Sequence, residues 1–220
     1  MLTLAAGERL IKSLKMTNVI IADDHAIVRK GLDLFLKFDD TIRLIGEATD
    51  GDELFELIKK LSAEVILLDI DMPKVNGITA LRRLHEEYPE IKVVVLSMHP
   101  EEIYGPTARK MGASGYVSKD SDPKEVVKAI KLVVEGGEHF NEALYTVKTP
   151  QREKKRKIKL SNRESEVLKL LSIGKSNKDI SEELGISDKT VSTYKQRLLN
   201  KLQARNVVDL INFAKMYQFV

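Results

Sequence analysis

The chain has 220 residues, of which 43% are hydrophobic and 31% charged, enough for one or two domains with hydrophobic cores. It contains no cysteine, which excludes disulfides and thiolate metal sites, and no apolar run approaches the ~18 residues that span a membrane. The net charge of +3 hides an asymmetry: residues 1–141 carry 19 basic and 24 acidic side chains, and residues 142–220 carry 17 basic and 9 acidic ones. The basic second part is therefore a candidate for binding nucleic acid.

The first segment, residues 1–15, is an N-terminal extension ahead of the first predicted strand. It reads MLTLAAGERLIKSLK, and Glu8, Arg9 and Lys12 interrupt the apolar stretch that a secretory signal peptide requires. We expect this segment to be dispensable and to lie upstream of a native start at Met16. We also expect a cytoplasmic protein that does not associate with a membrane.

Residues 16–141 alternate short apolar runs with amphipathic helical patterns. The runs are NVIIADD at 18–24, RLIGEA at 43–48, VILLDI at 65–70, KVVVLS at 92–97 and GYVSK at 115–119. Near-continuous apolar strands separated by helices indicate a parallel sheet with helices on both faces. The pattern predicts an α/β domain with a five-stranded parallel, doubly wound (flavodoxin-like) sheet.

The fourth helix of this domain falls in HPEEIYGPTARKMG, residues 99–112, and contains a proline. Proline lacks a backbone N–H and disfavours helical geometry in the residue before it. The sequence therefore predicts that regular helix begins near Pro106 and that residues 101–105 are looser.

The remainder of the chain divides into a basic linker at 142–158 and a small all-α domain of four helices at 159–220. SNRE at 161–164 is a capping-box pattern, and SNKDISEELG at 176–185 predicts a second helix that ends at Gly185. A third helix follows with Ser187 as its N-cap, and NVVDLINFAKMY at 206–217 predicts a fourth. Two helices joined across GIS predict a helix-turn-helix.

Five polar side chains follow strands of the predicted sheet: Asp23, Asp24, Asp69, Ser97 and Lys119. In such sheets the carboxyl ends of the strands form the binding site, so these groups are expected to meet at one edge.

Their chemistry suits phosphoryl transfer onto Asp69. Mg²⁺ (or Mn²⁺) prefers oxygen ligands, which Asp24, Asp69 and the backbone carbonyl of Asp71 would supply, with Asp23 holding a coordinated water. The cation would offset repulsion among the carboxylates and neutralise the incoming phosphoryl oxygens. Ser97 and Lys119 would complete the phosphate site, and the product would be an acyl phosphate on Asp69.

The chain resembles a two-component response regulator of the NarL/FixJ family, in which a receiver domain is joined to a LuxR-type helix-turn-helix. Within that family it is most similar to the BvgA/EvgA type. The resemblance covers about residues 16–215. The segments that carry it are ADDH at 22–25, DIDMPKVNG at 69–77, VVVLSMH at 93–99, GASGYVSKD at 112–120 and the helical stretch at 160–202.

The resemblance implies a regulator of transcription, not an enzyme. Asp69 would be the phosphoacceptor, Ser97, Lys119 and Tyr116 the phosphate and switch residues, and Asp23, Asp24, Asp69 and Asp71 the metal site. The implied partners are a sensor histidine kinase, double-stranded promoter DNA, a second copy of the chain in a homodimer, and RNA polymerase. Phosphorylation would control dimerisation and DNA binding.

DNA would be read by the third helix of the second domain. The resemblance places Ser192, Thr193 and Gln196 where base contacts fall, whereas basic and hydroxyl side chains nearby suit phosphates. The predicted DNA-binding residues are Lys178, Lys189, Thr190, Ser192, Thr193, Lys195, Gln196, Arg197 and Lys201.

Two alternatives remain open. DIDMP also resembles the DxD motif of haloacid-dehalogenase-type phosphatases, with Asp69 as nucleophile and Asp71 as acid. The other alternative is a receiver-like domain that is not phosphorylated and serves only as a DNA-binding scaffold. His99 is expected to be a solvated loop residue.

Overall fold

The protein is described by a computed structural model, which covers residues 16–72, 77–142 and 160–217. The expectations for residues 1–15 and for most of the linker at 142–158 lie outside these described residues. Within the described ranges no helix combines the length and apolar character needed to cross a membrane.

The first domain is a five-stranded parallel sheet flanked by five helices, as the sequence predicts. The strands are β1 (Thr17–Ala22), β2 (Ile42–Ala48), β3 (Val65–Asp69), β4 (Lys92–Ser97) and β5 (Gly115–Ser118), in the spatial order β2-β1-β3-β4-β5. The helices are α1 (Ala26–Leu36), α2 (Gly51–Ile58), α3 (Gly77–Glu87), α4 (Glu101–Lys110) and α5 (Pro123–Val134).

Side chains that alternate along the strands build a core on each face of the sheet. Ile20, Ile66 and Val95 are buried on one face, and Val19, Leu67 and Val94 are buried on the other. Burial on both faces explains why the strands are continuous apolar runs instead of an alternating pattern.

The prediction for α4 was wrong. The helix is continuous from Glu101 to Lys110, with Pro106 inside it and Pro100 as its N-cap residue. Tertiary packing compensates for the hydrogen bond that Pro106 cannot make. The fully buried Tyr104 ring stacks on His99, with ring centroids 4.4 Å apart, and the Ile103 and Tyr104 amides donate to the Pro100 carbonyl.

The second domain consists of α6 (Asn162–Ser172), α7 (Asn177–Leu184), α8 (Asp188–Leu202) and α9 (Val207–Met216). Ser161 and Ser176 each begin a helix with a capping box, and Ser187 accepts from the Thr190 amide, so these predicted helix starts are confirmed. Gly185 ends α7 with φ of 64°, a left-handed conformation that costs glycine little and lets the chain turn directly into α8.

Candidate functional site

The carboxyl ends of four strands bring the predicted polar groups together. Asp69 ends β3 and Ser97 ends β4, while Asp23 and Lys119 come directly after β1 and β5. Gly77 permits α3 to begin against the end of β3, because a Cβ at this position would lie 1.9 Å from the Asp69 carbonyl oxygen. The local chain geometry therefore fixes the site at one sheet edge.

The centre of the site is a buried ion-paired cluster. Lys119 Nζ lies 2.6 Å from Asp69 Oδ2 and 2.8 Å from Asp23 Oδ2, and neither carboxylate is exposed to solvent. Asp69 Oδ1 also accepts a hydrogen bond from the Asp71 amide at 3.0 Å. These contacts hold the Asp69 carboxylate in a fixed orientation at the carboxyl end of β3.

The electrostatics of the cluster reflect burial opposed by charge. Burial raises the pKa of Asp69 to about 6, even though the Lys119 charge and hydrogen bond act to lower it. For Lys119, burial alone would lower the pKa, but Asp69 and Asp23 outweigh it and raise the pKa above its usual value. The carboxylates of Asp69 and Asp23 together thus carry more negative charge than the single positive charge of Lys119 neutralises.

The acidic pocket can hold a divalent metal. One ligand atom from each of Asp23, Asp24, His25 and Asp69 lies within 4.8 Å of the others. Asp23 Oδ2 is buried and, although it is near Lys119, has no partner in hydrogen-bond geometry. Three hard carboxylate ligands gathered at one place fit a cation of the Mg²⁺ or Mn²⁺ kind.

Ser97, His99 and Tyr116 form a hydrogen-bonded chain beside the pocket. The Ser97 hydroxyl accepts from the His99 amide at 3.0 Å, and the Tyr116 hydroxyl donates to the His99 carbonyl at 3.0 Å. Ser97 is fully buried, and Tyr116 is 2% exposed. The Tyr116 ring is therefore already inside the protein in this structure.

His99 is placed differently from the sequence-based expectation, and its partner is the side chain of Asp71. His99 is not a solvated loop residue: it is 2% exposed, and its Nε2 lies 3.1 Å from the Asp71 carboxylate. The Asp71 side chain points away from the acidic pocket and toward α9. Asp71 therefore takes part in the metal site through its backbone alone or not at all.

The same geometry removes the phosphatase alternative. That mechanism needs the Asp71 carboxyl as an acid facing the reacting group. Here it is engaged by His99, Asn212 and Arg205 on the opposite side.

The second candidate surface is the exposed stripe of α8. Val191, Leu198 and Leu202 are fully buried and fix the rotation of the helix. The opposite side exposes the predicted base-contacting residues Ser192, Thr193 and Gln196, together with Lys189 and Asn200. Within the described residues, this stripe is open to solvent and oriented away from the core of its domain.

Two predicted phosphate partners also have structural contacts. Lys201 Nζ lies 2.7 Å from Glu164, which joins α8 to α6. Lys195 donates to the Asn177 side chain at 3.0 Å and is half-buried. Lys178, Lys189 and Arg197 are exposed, and Thr190 is half-buried near the start of α8.

Comparison with known protein families identifies both halves of the chain. A model of the response regulator receiver domain matches residues 19–131, and a model of bacterial regulatory proteins of the luxR family matches residues 158–214. The chain is a response regulator. It belongs to the group that joins a receiver to a LuxR-type DNA-binding domain, and it regulates transcription without being an enzyme.

Full-length relatives share this organisation. The chain is 37% identical over 211 residues to the transcriptional regulatory protein DegU of Brevibacillus brevis, covering 87% of this chain and 88% of that protein. It is 31% identical over 205 residues to the response regulator UvrY of Escherichia coli, covering 90% and 94%.

Solved structures of RcsB are also similar. One contains two RcsB dimers bound to two parallel DNAs, with a TM-score of 0.65, 30% identity and coverage of 91% of this chain and 98% of that one. Another is RcsB from Salmonella enterica serovar Typhimurium bound to promoter P1flhDC with a phosphomimetic, with a TM-score of 0.66, 29% identity and the same coverage.

Proposed function

We propose that this response regulator is phosphorylated on Asp69 by a sensor histidine kinase and that phosphorylation controls its dimerisation and its binding to promoter DNA. The observation that carries this proposal is the buried Asp69 carboxylate, held by Lys119 at 2.6 Å beside the acidic pocket. A buried nucleophile next to one ammonium group is suited to a reaction that brings in a phosphoryl group.

The reaction is an in-line phosphoryl transfer. An oxygen of ionised Asp69 attacks the phosphorus of a phosphohistidine, a P–O bond forms, and the P–N bond to the leaving histidine breaks. Asp69 is mostly ionised at neutral pH, because its pKa is about 6. Lys119 then stabilises the phosphoryl oxygens, and the Ser97 hydroxyl lies one strand away as a donor for them.

Asp23, Asp24 and Asp69 would hold Mg²⁺, or Mn²⁺ in its place. Their carboxylates suit these ions better than softer metals. When bound, the cation supplies charge that offsets the crowded carboxylates and the incoming phosphoryl oxygens. Ser97 and Tyr116 would form the switch beside the phosphate.

The DNA-binding half would read promoter DNA with α8. Ser192, Thr193 and Gln196 would face base edges, while Lys178, Lys189, Thr190 and Arg197 would contact phosphates. Lys195 and Lys201, which already anchor α8, would add charge nearby. The exposed stripe of α8 and the net charge of +8 over residues 142–220 support this assignment.

The active species would be a homodimer on two half-sites about one DNA turn apart, in the cytoplasm, acting with RNA polymerase. The proposed units are an extension at 1–15, a receiver at 16–141, a linker at 142–158 and a DNA-binding domain at 159–220.

Sedimentation and DNA affinity measured on the same samples test this function. We expect phosphorylated protein to show a higher dimer fraction and tighter specific binding than unphosphorylated protein. Asp69→Ala should lose both responses and Lys119→Ala should weaken them. Equal oligomeric state and equal affinity with and without phosphorylation would contradict the proposed control.

A further inference from the structure

Three side chains that can bind a metal ion meet where the receiver faces α9. His99 Nε2 lies 3.1 Å from the Asp71 carboxylate and 4.0 Å from Asp209 Oδ1. One ligand atom from each of these residues lies within 4.8 Å of the other two. Asp71 and His99 follow strands β3 and β4 of the receiver, and Asp209 is in the first turn of α9. We call these three residues the interdomain triad.

The spacing and the ligand types of the triad suit a transition-metal ion. Zn²⁺ binds imidazole nitrogen and carboxylate oxygen at about 2.0–2.2 Å, so two ligands in a tetrahedral arrangement are about 3.4 Å apart. The two distances from His99 Nε2 lie on either side of that value. An imidazole ligand favours zinc and related ions over Mg²⁺, which prefers oxygen.

Neighbouring groups hold the ligands in place. Asn212 Nδ2 donates to Asp71 Oδ1 at 3.3 Å, and the Arg205 backbone amide donates to Asp209 Oδ2 at 2.7 Å. The second contact leaves Asp209 Oδ1 directed toward His99. Outer-shell hydrogen bonds of this kind orient the carboxylates of metal sites.

The triad is mostly withdrawn from water but has a route to it. His99 and Asp209 are 2% and 3% exposed, whereas the Asp71 side chain is 15% exposed. Two carboxylates in such a place need positive charge beside them, because burial of uncompensated charge is costly. The exposed edge of Asp71 lets an ion reach the triad from solvent.

The Arg205 side chain is the positive charge that both carboxylates have in this structure. Its guanidinium group lies 3.5 Å from Asp71 Oδ2 and 3.5 Å from Asp209 Oδ2, and the side chain is 53% exposed. Ion pairs of a half-exposed side chain contribute little to stability. A divalent cation bound to both carboxylates and to His99 can therefore displace the Arg205 side chain.

A buried hydroxyl beside the triad lacks a partner. The Tyr104 ring is fully buried and stacks on His99 with centroids 4.4 Å apart, and its hydroxyl has no hydrogen-bond partner among the described residues. Burial raises the pKa of Tyr104, and the nearby charges of Asp209 and Asp71 raise it further. Zinc with three protein ligands keeps an open position for a water, and a water held there would satisfy this hydroxyl.

We propose that the interdomain triad is a zinc site, with a water at the fourth position and the Tyr104 hydroxyl as the partner of that water. Two of its ligands come from the receiver and one from α9, so bound zinc fixes the two domains relative to each other. None of the three ligand side chains belongs to the acidic pocket. The site is therefore independent of the proposed phosphorylation of Asp69.

Competition between the full chain and a chromophoric zinc chelator tests the site, with excess Mg²⁺ present to keep the acidic pocket occupied. We expect one zinc ion per chain. His99→Gln and Asp209→Asn remove one ligand from each domain. Each should weaken zinc binding more than about 100-fold, since loss of an outer-shell partner alone costs about 10- to 100-fold. His25→Gln, which removes the imidazole of the acidic pocket, is the matched control and should bind zinc as the wild type does.

Two further variants distinguish a zinc site from a hydrogen-bonded contact. Arg205→Gln removes the competing cation and should tighten zinc binding, although it deletes ion pairs of the zinc-free protein. Tyr104→Phe should weaken zinc binding about tenfold, because the bound water loses its partner. In zinc-free protein the same variant should keep or raise the urea midpoint, because it removes an unsatisfied buried hydroxyl.

Several results would overturn the site. Equal zinc affinity of the wild type, His99→Gln and Asp209→Asn, or loss of binding in His25→Gln, would place the ion elsewhere. The absence of binding at micromolar Zn²⁺ would also refute it. If His99→Gln does not fold, weaker zinc binding by Arg205→Gln than by the wild type refutes it instead. Each of these results leaves the proposed phosphorylation of Asp69 unaffected, since labelling of Asp69 is measured without zinc.

Discussion

Replacement of Asp69 by asparagine is expected to stabilise the metal-free protein at neutral pH. Burial raises the pKa of Asp69 from 3.8 to about 6, so the folded protein binds this proton more tightly than the unfolded chain. The free energy of unfolding therefore falls as pH rises from about 4 to about 6, and the full destabilisation by the buried charge is present above pH 6. Because one pH unit of pKa difference corresponds to ~1.4 kcal/mol, the cost at pH 7 is about 3 kcal/mol.

Urea unfolding followed by circular dichroism, in the presence of a chelator, measures this cost. At pH 7 the free energy of unfolding of Asp69→Asn should exceed that of the wild type by up to about 3 kcal/mol, and the difference should shrink toward pH 4. Asp120→Asn, an exposed carboxylate at the same sheet edge, should show no such trend. If Asp69→Asn is no more stable than the wild type at pH 7, burial of the Asp69 charge does not destabilise the folded protein.

Mg²⁺ should reduce the advantage of the variant. A ligand that binds the folded state stabilises it by mass action, and Asp69→Asn lacks one carboxylate of the pocket. We therefore expect the midpoint of wild-type unfolding to rise more with added Mg²⁺ than that of Asp69→Asn. Equal shifts would place the cation elsewhere.

Three further predictions concern other parts of the chain. Gly77→Ala should lower the free energy of unfolding by about 1–3 kcal/mol and slow the labelling of Asp69, because its Cβ would lie 1.9 Å from the Asp69 carbonyl oxygen; unchanged urea unfolding and labelling rates would contradict the close packing of α3 on β3. Pro106→Ala should raise the free energy of unfolding by up to ~3 kcal/mol, since it restores the missing N–H inside α4, and a less stable variant would show that proline suits this helix. Lys189→Ala should reduce the slope of log affinity against log salt by about one with unchanged base preference, whereas Gln196→Ala should relax the preference at one base pair with an unchanged slope; fluorescence anisotropy on a set of operator variants distinguishes the two.

Sequence patterns predicted the elements of both domains well because each reports a local physical requirement. Apolar runs bounded by turns gave all five strands to within two residues at each end, and the caps predicted at Ser161 and Ser187 gave the starts of α6 and α8. Parallel strands bring their carboxyl ends to one edge, so Asp23, Asp69 and Lys119 could be placed together from their positions in the sequence.

The contact between the domains was not predictable in the same way. Proline and glycine disfavour α4 locally, but packing of Tyr104 on His99 and Phe213 outweighs that preference. His99 has no sequence signal for burial, since it is covered by tertiary packing: the Tyr104 ring stacks on it, and Asp209 on α9, more than a hundred residues away, lies 4.0 Å from its Nε2. Asp71 could be singled out from the sequence because it lies two positions after Asp69, but its partners Asn212 and Arg205 follow from tertiary structure alone.

Phosphorylation of Asp69 is the central claim, and intact-mass measurement after incubation with acetyl phosphate and Mg²⁺ tests it most directly. The wild type should gain the mass of one phosphoryl group, removable by hydroxylamine as an acyl phosphate is, and fragmentation should place it on Asp69. Asp69→Asn should gain none. Equal labelling of the wild type and Asp69→Asn would contradict the assignment of Asp69 as the phosphoacceptor.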